Sequence, residues 1–175
     1  ASDYGEAYYY ELTNDIDLDG VNWAPKKMYG IFDGKGYTIK NLTMMNGNND
    51  RVGLFSSALG IIKNLKIDNA TFIIRDVTGM SFGAITSEVY STLLIENCHV
   101  INSYFDFSAS QIWDLYAGGF VGMNWCGNDL SVKNSTIEMD ASIKMSKDSP
   151  YYGSSYYYGG FIGSVGMGGD VIIDS

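Results

Sequence analysis

Short stretches of alternating apolar and polar residues run along this chain, and two features recur with them. The first feature is a strand that ends in an aliphatic residue, a polar residue and Asn, and it occurs at 39–41, 62–64, 95–97 and 132–134. The second is a glycine followed by two apolar residues and a small one, at 53–56, 83–86, 119–122 and 160–163. Such recurrence is typical of proteins whose units bury an apolar face only by stacking on their neighbours. The pattern therefore predicts a solenoid.

Asparagine occupies the position where each predicted strand ends and the next one begins. Asn tolerates the left-handed backbone that such a bend requires, and its side-chain amide can bond the equivalent amide in the coils above and below. We therefore expect Asn41, Asn64, Asn97 and Asn134 to turn inward and to form a polar ladder. After each Asn, apolar residues alternate with polar ones, which places the apolar side chains in the core.

The spacing between the two features indicates where the coils differ. From each glycine to the next aliphatic position the chain takes 9, 12, 13 and 13 residues, whereas from each aliphatic position to the next glycine it takes 14, 21, 24 and 28. Insertions in a solenoid form loops on one face, which is often the binding face. The growing segments 68–82, 101–118 and 138–159 are therefore expected to be loops that expand on one face.

Composition narrows the class of protein. The 175 residues include 14 Tyr and 21 Gly but only 2 Pro, and segments with helical periodicity are hard to find, which favours an all-β fold. Eleven Lys and Arg against twenty Asp and Glu give a net charge of −9, which disfavours nucleic acid and anionic membranes as partners. The apolar runs are too short for membrane insertion. We expect one domain over 1–175, with an edge or capping layer at 1–37 and repeat coils at 38–175, and we interpret the chain as an excerpt of a longer one.

Several segments resemble the GLUG-motif repeats of bacterial surface proteins. The resemblance rests on residues 10–18, on Trp23, on Phe-Asp-Gly-Lys-Gly-Tyr-Thr-Ile and the following residues at 32–42, and on 52–55. Similar repeats occur in streptococcal immunoglobulin A-cleaving metallopeptidases and in adhesin-like proteins of gut bacteria. The resemblance covers most of 8–175 and implies a right-handed parallel β-helix, here of about four coils, on a secreted or cell-surface protein. It implies no catalytic residues. The chain departs from the repeats in its Tyr-rich loop and in the Ala-Ile-Thr sequence after Gly83.

An acidic strand imitates the start of a calcium-binding loop. Asp15, Asp17 and Asp19 alternate before Gly20 as in an EF-hand, but Lys26 stands where that loop requires a bidentate Glu. The alternation instead fits a strand with its carboxylates in solvent. We expect no metal site there.

The two cysteines and the single histidine do not form a recognisable reactive site. Cys98 and Cys126 are compatible with one disulfide or with two buried thiols, and both alternatives remain open. His99 follows Cys98 directly, so in a strand the two side chains point in opposite directions. A nucleophilic pair and a metal centre are therefore not expected, and we expect no cofactor.

The Tyr-rich segment is the best candidate for a binding site. Five tyrosines lie in the longest predicted loop, and they are Tyr151, Tyr152, Tyr156, Tyr157 and Tyr158. Tyr, Ser and Gly together are typical of adaptable binding loops, and Tyr rings stack on the apolar faces of sugars. The alternative is that these tyrosines pack against the flank of the solenoid.

The expected function is non-catalytic. We expect an extracellular or cell-surface structural stalk or an adhesive module that binds glycans or a host or matrix protein. The second hypothesis is a self-associating subunit of an extracellular filament, in which the solenoid ends pair with other copies. The third is a polysaccharide-active β-helix enzyme, which the scattered carboxylates and the presence of only two arginines, Arg51 and Arg75, disfavour.

Overall fold

The structure is a computed structural model that describes residues 8–45, 50–109, 112–125, 129–145, 155–166 and 170–174. Within these ranges the chain forms nineteen strands in three sheets, and the strand pairs are parallel. The prediction of an all-β chain is confirmed.

The strands are short in the first part of the chain and longer in the middle. In chain order they are β1 (Tyr8–Glu11), β2 (Ile16–Asp17), β3 (Lys26–Asp33), β4 (Thr38–Lys40), β5 (Thr43–Met45), β6 (Arg51–Val52), β7 (Phe55–Lys63), β8 (Lys66–Asp68), β9 (Thr71–Arg75), β10 (Gly79–Gly83), β11 (Thr86–Glu96), β12 (His99–Ala109), β13 (Asp114–Gly118), β14 (Val121–Asn124), β15 (Leu130–Lys133), β16 (Thr136–Met145), β17 (Ser155–Gly159), β18 (Ile162–Val165) and β19 (Val171–Asp174).

The chain visits the three sheets in a repeating order. The first sheet has the order β1-β3-β7-β11-β14-β18, and β15 pairs with β11 and β19. The second sheet has the order β2-β4-β8-β12-β9-β5 with β16 against β12, and the third has the order β17-β13-β10-β6. From β7 onward the chain passes from the first sheet to the second, then to the third, and back to the first. Each complete pass of the chain from β7 onward therefore adds at least one strand to each of the three sheets.

Pairing in the first sheet agrees with the predicted repeat from its second occurrence onward. Ile62 pairs with Ile95, and Ile95 pairs with Val132. The first occurrence is assigned wrongly, because Phe32 and not Ile39 pairs with Ile62. Ile39 lies in the second sheet, where it pairs with Ile16 on one side and Ile67 on the other. The physical reason is that one pass of the chain contains two aliphatic-polar-Asn triplets, at 62–64 and 67–69, and the pattern does not distinguish them.

The segments 68–82, 101–118 and 138–159 are not loops as expected, because most of their described residues belong to strands. They contain β9 and β10, most of β12 with β13, and most of β16 with β17. Alternate residues of these strands, such as Phe72, Phe105 and Leu115, are buried. The chain therefore lengthens by adding core-forming strand to the second and third sheets.

The core lies between the three sheets and is rich in aromatic rings. Phe82 of the third sheet stacks on Phe105 of the second, with ring centroids 3.9 Å apart and planes 4° from parallel. Phe72 meets Phe82 edge-on at 5.0 Å. Since these rings come from β9, β10 and β12, they tie two sheets together directly beneath the outer surface of the third sheet.

Candidate functional site

The four predicted ladder asparagines share a left-handed backbone but do not turn inward. Asn41, Asn64, Asn97 and Asn134 have φ angles of 57°, 52°, 52° and 47°. Asn97 and Asn134 are exposed, and the other two are half-buried, so the expected inward orientation is wrong. The inward place at this corner is taken by the next residue, as the burial of Leu65 shows.

Two columns of side-chain amides, not one, run across the corners. Asn97 Nδ2 donates to Asn64 Oδ1 at 2.9 Å, and Asn64 Nδ2 donates to Asp33 Oδ1 at 3.0 Å. Asn41 belongs to a separate column, because its amide donates to Asp17 Oδ1 at 2.7 Å and its oxygen accepts a bond from Asn69 Nδ2 at 2.7 Å. Each column ends on a carboxylate, which accepts hydrogen bonds and has none to donate.

The acidic strand is held by hydrogen bonds and an ion pair from neighbouring protein groups. Thr38 N donates to Asp15 Oδ1 at 2.9 Å, and Lys40 Nζ lies 2.9 Å from Asp15 Oδ2. The Thr38 backbone bond and the Lys40 ammonium lower the pKa of Asp15. The bond from Asn41 and the backbone N–H of Asp19 likewise lower the pKa of Asp17. Within the described ranges, no cluster of three His, Cys, Asp or Glu residues could hold a metal ion.

Cys98 and His99 point to different surroundings. Cys98 is a free thiol and is buried, and this burial raises its pKa to about 12. His99 Nδ1 lies 2.9 Å from Thr136 Oγ1, and Nε2 lies 3.3 Å from Asn97 Oδ1. Cys126 lies outside the described residues. The thiol of Cys98 is therefore suited to packing and not to nucleophilic attack.

The predicted tyrosine loop is a strand where the structure describes it. Tyr151 and Tyr152 lie outside the described residues. Tyr156, Tyr157 and Tyr158 lie on β17, which pairs with β13, and strand alternation sends them to different sides. Tyr156 donates a hydrogen bond to a carbonyl of the core region at 3.5 Å, whereas Tyr157 is 45% exposed on the outer face.

Tyr157 belongs to a row of four aromatic rings that the sequence analysis missed. It stacks on Tyr116 with a centroid distance of 5.3 Å and an interplanar angle of 8°. Tyr116 meets Trp125 at 6.5 Å and 61°, and Trp125 is parallel to Tyr90 at 6.3 Å. We call these four side chains the aromatic row. Tyr157, Tyr116 and Tyr90 lie on β17, β13 and β11, and Trp125 directly follows β14, so only the observed strand register brings the four rings together.

A buried carboxylate anchors one end of the aromatic row. Glu88 accepts hydrogen bonds from Arg51 Nε, from the Tyr90 hydroxyl and, at 3.1 Å, from Ser81 Oγ. Arg51 Nη2 also donates to the Tyr90 hydroxyl at 3.0 Å. Burial, and then the Glu88 carboxylate, raise the pKa of Tyr90, so its hydroxyl stays protonated as a donor. These hydrogen bonds fix the position of the Tyr90 ring, and the positive charge of Arg51 neutralises Glu88.

Beside the aromatic row lies an open cleft of about 380 Å³. Its lining combines aromatic rings with carboxylates, namely Trp113, Tyr116, Trp125, Asp50, Asp114 and Glu88. Trp113 is 52% exposed. Asp114 lies two residues before Tyr116 on β13, so the two side chains share a face of the strand, and burial and the negative charge of Asp114 raise the pKa of Tyr116. Flat apolar faces next to hydrogen-bond acceptors suit a ligand that is apolar on one side and polar at its edges.

The described residues contain no helix that is long and apolar enough to cross a membrane.

Comparisons with known proteins give a structural likeness only. No protein-family model matches the chain, and no curated protein matches it in sequence. The chain is similar in structure to a Bacteroides ovatus protein whose 1.30 Å crystal structure is described as that of a putative immunoglobulin A1 protease. The TM-score is 0.57 and the identity 18%, over 97% of this chain and 58% of that one. At this identity the likeness concerns the fold alone, and the chain spans little more than half of that protein.

Proposed function

We propose that this chain is a non-catalytic β-solenoid that presents a glycan-binding surface outside a bacterial cell. The proposed architecture is a right-handed parallel β-helix with the third sheet as its recognition face. It is supported by the repeated passage through three parallel sheets and by partner residues that lie 30, 33, 37 and 41 positions apart. The resemblance to GLUG-motif repeats supports the proposed location at the cell surface.

The aromatic row and the adjoining cleft are the observation that carries the binding role. Four rings are linked by successive ring contacts across several passes of the chain, and two of them, Tyr116 and Trp125, also line the cleft. Aromatic side chains that recur along a surface suit a ligand made of repeated rings. Rigid aromatic side chains lose little conformational entropy on binding, which is why they dominate recognition surfaces.

Of the three carboxylates that line the cleft, Glu88 is suited to a structural role and not to catalysis. Glycoside hydrolysis requires two carboxyl groups, one of which gives up a proton to the leaving group. Glu88 already accepts three hydrogen bonds and is paired with Arg51, so it serves to hold Tyr90 and Arg51 in place. The polysaccharide-active enzyme therefore stays the third hypothesis.

The proposal is tested by titrating the full chain with neutral oligosaccharides selected on a glycan array. Tyr116→Ala and Tyr157→Ala should each weaken binding about tenfold, which corresponds to about 1.4 kcal/mol. Tyr104→Ala is the matched control, because Tyr104 is an exposed tyrosine on the second sheet. Equal effects at Tyr104 and Tyr116, or no glycan bound at all, would contradict the proposal. Tyr156 is left intact because its ring packs against the core.

Self-association is a second candidate function, and strand β19 favours it. Val171, Ile172 and Ile173 are 37%, 51% and 48% exposed, and β19 pairs within the described residues only with β15. An exposed parallel edge of this kind is a template for another strand. Light scattering should then show oligomers that Ile172→Lys dissociates. A monomer at all concentrations would remove this candidate and leave glycan binding unaffected.

A further inference from the structure

The described residues that line the cleft do not balance its negative charge. Arg51 neutralises Glu88, but among the described residues no Lys or Arg nitrogen forms an ion pair with Asp50 or Asp114. The described lining contains no Lys or Arg. Among the described residues, the cleft therefore has two carboxylates without an ion-pair partner next to three aromatic rings.

This combination favours a cation over a neutral or anionic group. The face of an indole or phenol ring is electrostatically negative and attracts an ammonium group, and the attraction is strongest for Trp. A carboxylate beside the ring adds a charge-assisted hydrogen bond to the same group. Trp113 and Tyr116 line the cleft and supply such faces, and Asp114 lies two residues before Tyr116 on the same face of β13. An anionic ligand would meet repulsion at the same place.

We propose that the cleft binds an amino sugar that carries a free ammonium group, as one unit of a longer glycan. The inference rests on the proposed glycan-binding function and names its ligand class. A peptide lysine would also supply an ammonium group. The amino sugar is favoured because the cleft continues into the aromatic row, and a row of rings matches a polymer of rings.

Each part of the cleft then has a separate role. Trp113 and Tyr116 stack on the apolar face of the sugar and act on charged and neutral sugars alike. Asp50 and Asp114 accept the ammonium hydrogens and act only when the nitrogen is charged. Acetylation of that nitrogen removes the charge, so paired ligands separate the two roles.

The experiment compares a glucosamine oligomer with the N-acetylglucosamine oligomer of equal length by calorimetry, using the full chain at low salt. We expect the glucosamine oligomer to bind at least about tenfold more tightly. Asp114→Asn should remove most of this preference and leave the weaker N-acetylglucosamine binding unchanged. Asp140→Asn is the control, since it removes the same charge from an exposed position on β16 in the second sheet. Trp113→Ala should weaken binding of both oligomers.

The outcomes separate this inference from the function on which it rests. Equal or tighter binding of the N-acetylated oligomer overturns the amino-sugar inference and leaves glycan binding standing. Binding of neither oligomer overturns the inference, and the proposed function then depends on the neutral glycans of the array. If oligolysine of equal charge binds equally well and is equally weakened by Asp114→Asn, the cleft recognises an ammonium group on peptides, and the inference is wrong. If Asp114→Asn and Asp140→Asn weaken the preference for the glucosamine oligomer equally, the preference comes from the net charge of the protein, and the inference is wrong.

Discussion

Asp33 is a buried carboxylate whose replacement tests how the corners of the fold are held. Its Oδ1 accepts hydrogen bonds from Asn64 Nδ2 at 3.0 Å and from the backbone N–H of Lys35 at 2.9 Å. Its Oδ2 lies 3.5 Å from Lys63 Nζ and accepts a longer bond from the Tyr9 hydroxyl at 3.4 Å. Asp33→Asn keeps the size of the side chain and one oxygen. It removes the negative charge and places an amide donor next to the ammonium groups of Lys35 and Lys63.

The expected loss of stability follows from these contacts. A hydrogen bond to a charged group contributes about 1.5–3 kcal/mol, and a bond between neutral groups about half as much. The Lys63 and Lys35 side chains are 34% and 45% exposed, so the two ion pairs contribute little because water screens them. Since Asn keeps an oxygen for Asn64 and Lys35 N, Asp33→Asn should lower the free energy of unfolding by about 1–3 kcal/mol at neutral pH.

The loss should depend on pH in a defined direction. Burial raises the pKa of Asp33, but the hydrogen bonds from Asn64 and Lys35 N and the nearby ammonium groups outweigh it, so the pKa is lowered overall. A carboxyl group with a lowered folded-state pKa stabilises the fold above its unfolded pKa of about 3.9, and this stabilisation is lost as the pH falls through the folded pKa. The difference between wild type and Asp33→Asn should therefore be largest above about pH 5 and shrink toward pH 2–3.

Urea denaturation at pH 7, 5 and 3, followed by circular dichroism, measures this difference. Asp140→Asn is the control, since an exposed substitution should change stability by less than about 0.5 kcal/mol. A difference for Asp33→Asn that is the same at pH 3 and pH 7 would refute the role of the charge. No difference at pH 7 would refute the contribution of the corner bonds altogether.

Three further predictions concern the packing of the strands. Ile95→Ala should lower the free energy of unfolding by about 2–5 kcal/mol, because Ile95 is buried between two passes of the chain. Glu96→Ala should lower it by less than about 0.5 kcal/mol in the same urea titrations, and similar losses for the two variants would contradict the register. Gly60→Ala should abolish soluble expression or lower the melting temperature strongly, since a Cβ there would lie 2.1 Å from a backbone oxygen of the adjacent strand. In a Cys126→Ser variant, Cys98 should resist maleimide until urea unfolds the chain, because its thiol is buried with a pKa of about 12, and fast labelling of the folded protein would be inconsistent with this burial.

The parallel all-β fold was predictable because core positions repeat in type. Ile62, Ile95 and Val132 occupy one column of the first sheet, and a column of similar aliphatic side chains packs without voids when strands stack in register. The assignment of Ile39 to this column failed for the same reason, since the second sheet presents a column of equal appearance that contains Ile67. A repeated residue type identifies a column of stacked core positions. When one pass of the chain contains two similar triplets, however, the pattern does not show to which column a given residue belongs.

The candidate site was much less predictable, because its residues do not repeat. Tyr90, Tyr116, Trp125 and Tyr157 are each isolated among residues of other types, or lie in a run of tyrosines of which only one joins the row. The composition pointed to tyrosine as the recognition residue, and the cluster at 151–158 contains one member of the row, Tyr157, but not Tyr90, Tyr116 or Trp125. Strand alternation along β17 would have separated Tyr157 from its neighbours if the segment had been interpreted as a strand.

The third sheet shows why recognition fits an outward column better than an inward one. One register position on the side away from the aromatic core is occupied in successive strands by Arg51, Ser81, Tyr116 and Tyr157. Of these, Ser81 is buried, and its hydroxyl is hydrogen-bonded to Ser87 and Glu88. An inward column cannot vary in this way, because a charge or a hydroxyl placed there would be buried without partners. An outward column meets no such constraint, and parallel strands about 4.8 Å apart set its side chains at regular intervals. The variable column therefore provides both spacing and chemical diversity, and these are the two properties that a surface needs to distinguish one extended polymer from another.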